Sequence, residues 1–161
     1  MKSMIFTAAA TAALLAACGM EPASNASQPV GDRTAPSGLD LVPLSVRSGN
    51  RTHAFTVEVA RTSEEQAQGM MFRESLGPDQ GMIFPFPEPR LASFWMRNTL
   101  IPLDIIFVRA DGTIARIAAN AVPLSEEPVA VGEPVTAVLE LRGGRAAELG
   151  IQEGDRVTWQ D

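Results

Sequence analysis

The sequence predicts a small, mainly β domain, an antiparallel sandwich or barrel with two short helices. Three observations carry this. From Leu39 onward the apolar residues fall in short alternating runs rather than at helical spacing. Clusters of Gly, Pro and Asn separate those runs. Helix signals occur in only two stretches, and a glycine closes each within two turns.

Taken in order, Leu41–Val46 is the first expected strand and Ser48-Gly49-Asn50 a turn. Thr52–Ala60 alternates, with His53, Phe55, Val57 and Val59 on one face and Thr52, Thr56 and Glu58 on the other. Ser63-Glu64-Glu65-Gln66 has the form of a capping box, opening a helix that Gly69 ends. Met82–Phe86 is a short strand. Pro85, Pro87 and Pro89 then predict an extended, turning segment unsuited to a central strand. Leu91–Arg97 and Leu103–Arg109 are strands joined by Asn98-Thr99-Leu100-Ile101-Pro102. Ala110-Asp111-Gly112 is a hairpin turn into Thr113–Ala119. A loop carrying Pro123, Pro128 and Pro134 precedes the strand Val135–Leu141. Arg145–Leu149 is a short helix stopped by Gly150, and Arg156–Gln160 is the last strand. No internal repeat is visible.

The N-terminus reads as an address. After Lys2, an apolar and small-residue run ends at Ala17. At 1.5 Å per residue it spans roughly 21 Å, short of a bilayer core of roughly 30 Å, so residues 1–17 are expected to be a cleaved export signal. Leu15-Ala16-Ala17-Cys18 resembles a bacterial lipobox, which implies cleavage before Cys18 and acylation of its thiol. Several acyl chains on one residue anchor firmly. Residues 18–38 are rich in Pro, Ser, Ala, Gly and Asn, and are expected to be a flexible tether reaching roughly 25 Å. Residues 39–161 then form one domain. The expected location is the periplasmic face of a bacterial membrane, inner or outer, held there through the lipid alone.

Composition excludes several chemistries. Lys2 is the only lysine, so the mature chain is expected to have no lysine amine for Schiff-base chemistry. Cys18 is the only cysteine and His53 the only histidine. A disulfide framework, a Cys/His zinc site and a Cys–His pair within one chain are thereby excluded. No metal or other cofactor is expected. The formal net charge is −6, which argues against nucleic acid as a partner.

Three blocks then stand out. They are Gly69-Met70-Met71-Phe72-Arg73 with Gly81-Met82-Ile83-Phe84, Ser93-Phe94-Trp95-Met96-Arg97-Asn98-Thr99, and Ile101-Pro102-Leu103-Asp104-Ile105-Ile106-Phe107. Together with Glu140-Leu141, Gly150-Ile151 and Gly154-Asp155 they resemble the DUF192 family over about residues 53–160. The resemblance implies a small β-rich domain, common in bacteria and archaea and often exported. It implies no agreed activity.

Among residues able to carry chemistry, Asp104 is the most informative. Around it, Ile101–Val108 is otherwise apolar apart from Pro102, so both faces of this strand should be buried. A carboxylate there needs a partner. Arg73, Arg97, Asn98 and Thr99 are the available ones. Asp104 either fixes the fold or floors a polar pocket as acid, base or ligand anchor. Arg73, leaving an apolar cluster, offers a bidentate fork to a carboxylate or anion. Asn98 and Thr99 add an amide and a hydroxyl, or simply make a turn. Met70, Met71, Met82 and Met96 cluster with Trp95 and four phenylalanines. Such a cluster is an adaptable core, an apolar groove or a Cu(I) site, the last without a histidine or cysteine beside it. His53 reads as a core-edge residue, Asp155 as a turn residue, and Glu140 as a possible second carboxylate to Asp104.

The expected binding set is therefore Arg73, Trp95, Met96, Asn98, Thr99 and Asp104, with Asp104 the candidate catalytic group. The leading expectation is a Met/aromatic-lined patch with a polar centre that holds a small molecule or an extended segment of an envelope protein. The alternatives are an envelope enzyme with Asp104 as acid/base and Arg73 as anion anchor, and a structural accessory subunit.

Overall fold

The computed structural model describes residues 35–160. The export signal over 1–17, Cys18 and all but the last four residues of the expected tether lie outside the described residues. In chain order the elements are β1 (Leu41–Ser48), β2 (Arg51–Val59), α1 (Ser63–Gln68), β3 (Gln80–Phe94), β4 (Leu103–Val108), β5 (Ile114–Ala121), β6 (Val129–Arg142), α2 (Arg145–Leu149) and β7 (Arg156–Trp159).

The described strands form one sheet in the order β5-β4-β6-β3-β2-β1-β7. Its outer strands meet. Thr113 bridges Arg156, the Ile114 N–H donates to the Asp155 carbonyl at 2.8 Å, and the Val157 N–H donates to the Gly112 carbonyl at 2.9 Å. The sheet thus curls into a barrel-like form, which limits its unpaired edges. The mainly β, barrel-like architecture with two short helices is the one the sequence predicts. The sheet is mixed rather than wholly antiparallel, because β2 and β3 run parallel. Residues 60–79, including α1, form the crossover that a parallel pair requires. The helix begins one residue earlier than its expected capping box. Thr62 is the N-cap, bonded reciprocally with Glu65.

Two expected strands on either side of the prolines are one strand, β3. Proline's fixed φ suits extended backbone, and only its missing N–H is a difficulty in a ladder. The structure meets that difficulty with a register shift between Pro85 and Arg90, which leaves residues 86–89 out of the pairing with β6. Only residues 81–83 of β3 are paired on both sides, to β2 and to β6. Likewise β6 starts at Val129 and carries Pro134, which the sequence reading placed in a loop.

The sheet packs on both faces. Inside the curl lie Val46, Phe55, Val57, Ile83, Ile106, Val108, Leu139 and Leu141. On the outer face Met70, Met82, Phe84, Met96, Ile105, Phe107 and Val138 form a second cluster beneath the 60–79 crossover and the 95–101 loop. Every residue of β4 is buried, as expected for a strand covered on both faces. Where β3 crosses β6, Gly81 is required: a Cβ there would lie 2.5 Å from the Glu140 carbonyl oxygen. Ahead of β1, Ala35 is buried and Ser37 donates to Glu58 at 2.5 Å.

Candidate functional site

The outer cluster is incompletely covered. Between α1 with its following turn and the far end of β3 lies a cleft of about 390 Å³. One wall is Gln66, Gln68, Gly69, Met70 and Met71. The other is Arg90, Ser93, Phe94, Trp95, Arg97 and Thr99. Phe84 and Glu140, buried side chains of the sheet, form its floor. Its volume falls within the roughly 300–1,000 Å³ typical of small-molecule sites.

Local contacts explain why the cleft keeps its form. Gln66 ties α1 to β3, its amide donating to the Ala60 and Pro85 carbonyls at 3.0 Å each. Phe84 and Phe94 meet edge to face with centroids 5.1 Å apart. Two loops then interlock. The Phe72 N–H donates to the Asn98 carbonyl at 2.8 Å, and the Leu124 N–H to the Thr99 carbonyl at 3.1 Å. Phe72, Asn98 and Leu124 all adopt positive φ, a conformation seldom taken by residues other than glycine and costing on the order of 1 kcal/mol or more each.

Glu140 is the polar centre. In β6, Ala137, Leu139 and Leu141 point inside the curl, whereas Val138 and Glu140 point to the outer cluster. Met82 and Ile105 flank Glu140 on the neighbouring strands. The residue is 4% exposed, and its Oε2 is buried with no hydrogen-bond partner among the described residues. Burial pushes the Glu140 carboxyl up to about 8, opposed only by the positive charge of Arg73. At neutral pH it is mostly an uncharged acid, able to donate one hydrogen bond and accept others.

Arg73 does not reach Asp104. It makes a bidentate pair with Glu58 at 2.5 and 2.6 Å. Glu58 alternates onto the outer face of β2, yet it is buried because Arg73 and Ser37 close over it. Arg73 also lines a second hollow of about 450 Å³, on the far side of Gln68, Gly69 and Met71.

Asp104 lies on the opposite face of the sheet. It pairs in register with Leu141 and points inside the curl with Ile106 and Val108. Its carboxylate accepts backbone N–H bonds from Asn120 and Gly144 at 2.9 Å each and from Ala146 at 2.8 Å. Asp104 thereby caps α2, whose own N-cap, Gly144, has no side chain to do so. The expected partners Arg73, Arg97, Asn98 and Thr99 do not contact it. The physical reason is alternation: a carboxylate one strand away and one residue out of phase with Glu140 must face the other way. For the same reason Asp104 and Glu140 form no carboxylate pair.

Of the expected binding set, Trp95 and Thr99 line the cleft. Met96 is 1% exposed and belongs to the core beneath it. Asn98 holds the rim, its side-chain amide 3.8 Å from the Met71 sulfur. His53 sits opposite Val46 on β1, away from the cleft, and its Nε2 has no partner among the described residues. The described residues contain no group of three or more His, Cys, Asp or Glu placed to hold a metal ion. Sequence reasoning did not single out Arg90, named Arg97 only as a partner for Asp104, and did not foresee the burial of Glu140. The one available signal was Val138, an apolar residue sharing the face of Glu140.

Fold and cleft together define a small curled-sheet domain with a recessed site of mixed polar and apolar walls over a single buried acid. The chain belongs to the DUF192 family, described as an uncharacterized ACR, whose model matches residues 44–159. Among solved structures, it is similar to a protein of unknown function from Novosphingobium aromaticivorans DSM 12444. That match has 51% identity and a TM-score of 0.77, covering 88% of this chain and 99% of that one. It is also similar to a protein from Sinorhizobium meliloti 1021 named "a putative transcription regulator". There the identity is 42% and the TM-score 0.73, with 75% of this chain and 95% of that one covered. No curated protein matches the chain.

Proposed function

We propose that this protein is a lipid-anchored cell-envelope binding domain that takes a small molecule into the cleft over Glu140. One observation carries the reading: a buried carboxyl with an unpartnered oxygen at the floor of a cleft whose walls mix methionine and aromatic side chains with polar and arginine side chains. Leaving a buried polar atom unsatisfied costs about 1–3 kcal/mol. Oε2 has no open surface as it stands, so a ligand recovers that cost when the Glu140 side chain turns to meet it. Loops held at positive φ around the rim support the same reading, since local strain clusters at ligand sites. An acid–base role for Asp104 has no such support, because both its oxygens are engaged by backbone amides. The regulator name carried by the Sinorhizobium relative finds no support in a chain of net charge −6.

The test is thermal shift and calorimetry on the domain from residue 35 against envelope metabolites, beside Trp95→Ala. A ligand at 100 times its Kd should add roughly 2.7 kcal/mol, several degrees of Tm. A shift that vanishes in a folded Trp95→Ala variant supports the site, and an unchanged shift removes it. The anchor is tested separately: Cys18→Ser should release the protein from the membrane fraction, and retention in that fraction would refute lipidation at Cys18.

A further inference from the structure

The cleft has a charge sign of its own. The chain carries a formal net charge of −6, yet the ionised side chains lining the cleft, among the described residues, are both arginines. Arg90 lies over the Phe86 ring at 3.8 Å and touches the Gln66 side-chain oxygen at 3.3 Å. Arg97 lies 5.4 Å over the Trp95 ring, and its nearest acid is Glu126, 4.0 Å away and largely exposed. Both guanidiniums are therefore held by rings and by weak polar contacts, with donors left for an incoming anion. Contrast Arg73, whose fork is filled by Glu58.

Glu140 supplies the other half. Buried and uncharged at neutral pH, it adds no negative charge to oppose an anion at the mouth. The ionisable groups around it are Glu58 and Arg73, paired to each other, and Arg90 and Arg97 across the cleft. Between floor and rim run Met70, Met71, Phe94 and Trp95, which suit an apolar body.

We propose that the cleft selects a small organic anion with an apolar body. Its negative group lies at Arg90 and Arg97, and one of its uncharged oxygens accepts a hydrogen bond from the Glu140 carboxyl. This deepens the binding function proposed above and rests on it.

Three probes sharing one aromatic body separate the two. N-acetylphenylalanine is an anion with an amide carbonyl, its carboxamide analogue is neutral, and phenethylamine is a cation. Each is titrated into the protein by calorimetry at pH 6, 7 and 9. The anion should bind at least about tenfold more tightly than the neutral analogue, as charge-assisted hydrogen bonds dictate. Arg90→Gln with Arg97→Gln should remove that preference while the neutral analogue still binds. Anion affinity should be level from pH 6 to 7 and fall above about 8, where Glu140 loses the proton it donates. Glu140→Gln, which keeps a donor, should bind at pH 7 and lose the alkaline fall. Equal or tighter binding of the neutral or cationic probe overturns the anion proposal but leaves the cleft a binding site. No binding by any probe at millimolar concentration overturns both.

Discussion

Replacing Glu140 with glutamine should make the protein more stable above neutral pH, and the gain should grow with pH. In the unfolded chain this carboxyl ionises near its ordinary value of 4.5, whereas in the folded protein it ionises near 8. Between these values the folded state holds a proton that the unfolded state has released, so stability falls as pH rises through this window. The contribution is fully present below about 4.5 and fully lost above about 8. At roughly 1.4 kcal/mol per pH, the loss approaches about 3 kcal/mol at pH 7 and about 5 at pH 9. Glutamine is nearly isosteric and never ionises, so it removes this slope. The assay is urea unfolding of both proteins from pH 5 to 9, comparing the difference in midpoint at each pH so that all other titrating groups cancel. Glu140→Gln should gain on the wild type at each step up to about pH 8 and then level off. Parallel curves would refute the reasoning, because they would mean that Glu140 ionises alike in both states.

Three further outcomes follow from the same geometry. Arg73→Gln removes the one charge that holds the Glu140 carboxyl down; its titration, followed by carbon NMR of that carboxyl, should move further upward, and an unchanged or lower midpoint would contradict the placement. Asp104→Asn should cost about 1–3 kcal/mol in denaturant, since the buried Asp104 side chain loses its charge-assisted bonds to three backbone N–H groups, of which that of Ala146 is buried; a change under 1 kcal/mol would show that the α2 cap is dispensable. Met96→Ala should cost about 2–5 kcal/mol as a core truncation, whereas Trp95→Ala, at a site 47% exposed, should leave the melting midpoint much nearer wild type while removing cleft binding.

How far the sequence reaches differs between the elements and the site. The β1–β2 hairpin, β4, the turn at Asp111 and helix α2 follow from alternation and from turn and stop residues, all of them local signals. The long strands β3 and β6 did not, because prolines that read as breaks are carried at register shifts that only the partner strand defines. The parallel pairing of β2 with β3 is equally invisible locally, since direction depends on how the crossover returns.

At the site, residue type and partner parted company. The sequence by itself determined a small, mainly β domain, an acidic chain almost without lysine, histidine or cysteine, and a concentration of methionine and aromatic residues beside isolated polar groups. It also determined that Asp104 needed a partner, because a carboxylate in an apolar strand cannot stay unsatisfied. Tertiary structure alone decided which partner each group found. Asp104 received backbone amides at the start of α2, and Arg73 received Glu58. Glu140, on a face where only Val138 signals burial, keeps an Oε2 without a hydrogen-bond partner among the described residues. The reason is that one strand's pattern states only which residues share a face. What covers that face is set by chain segments distant in sequence, here the crossover after β2 and the loop after β3.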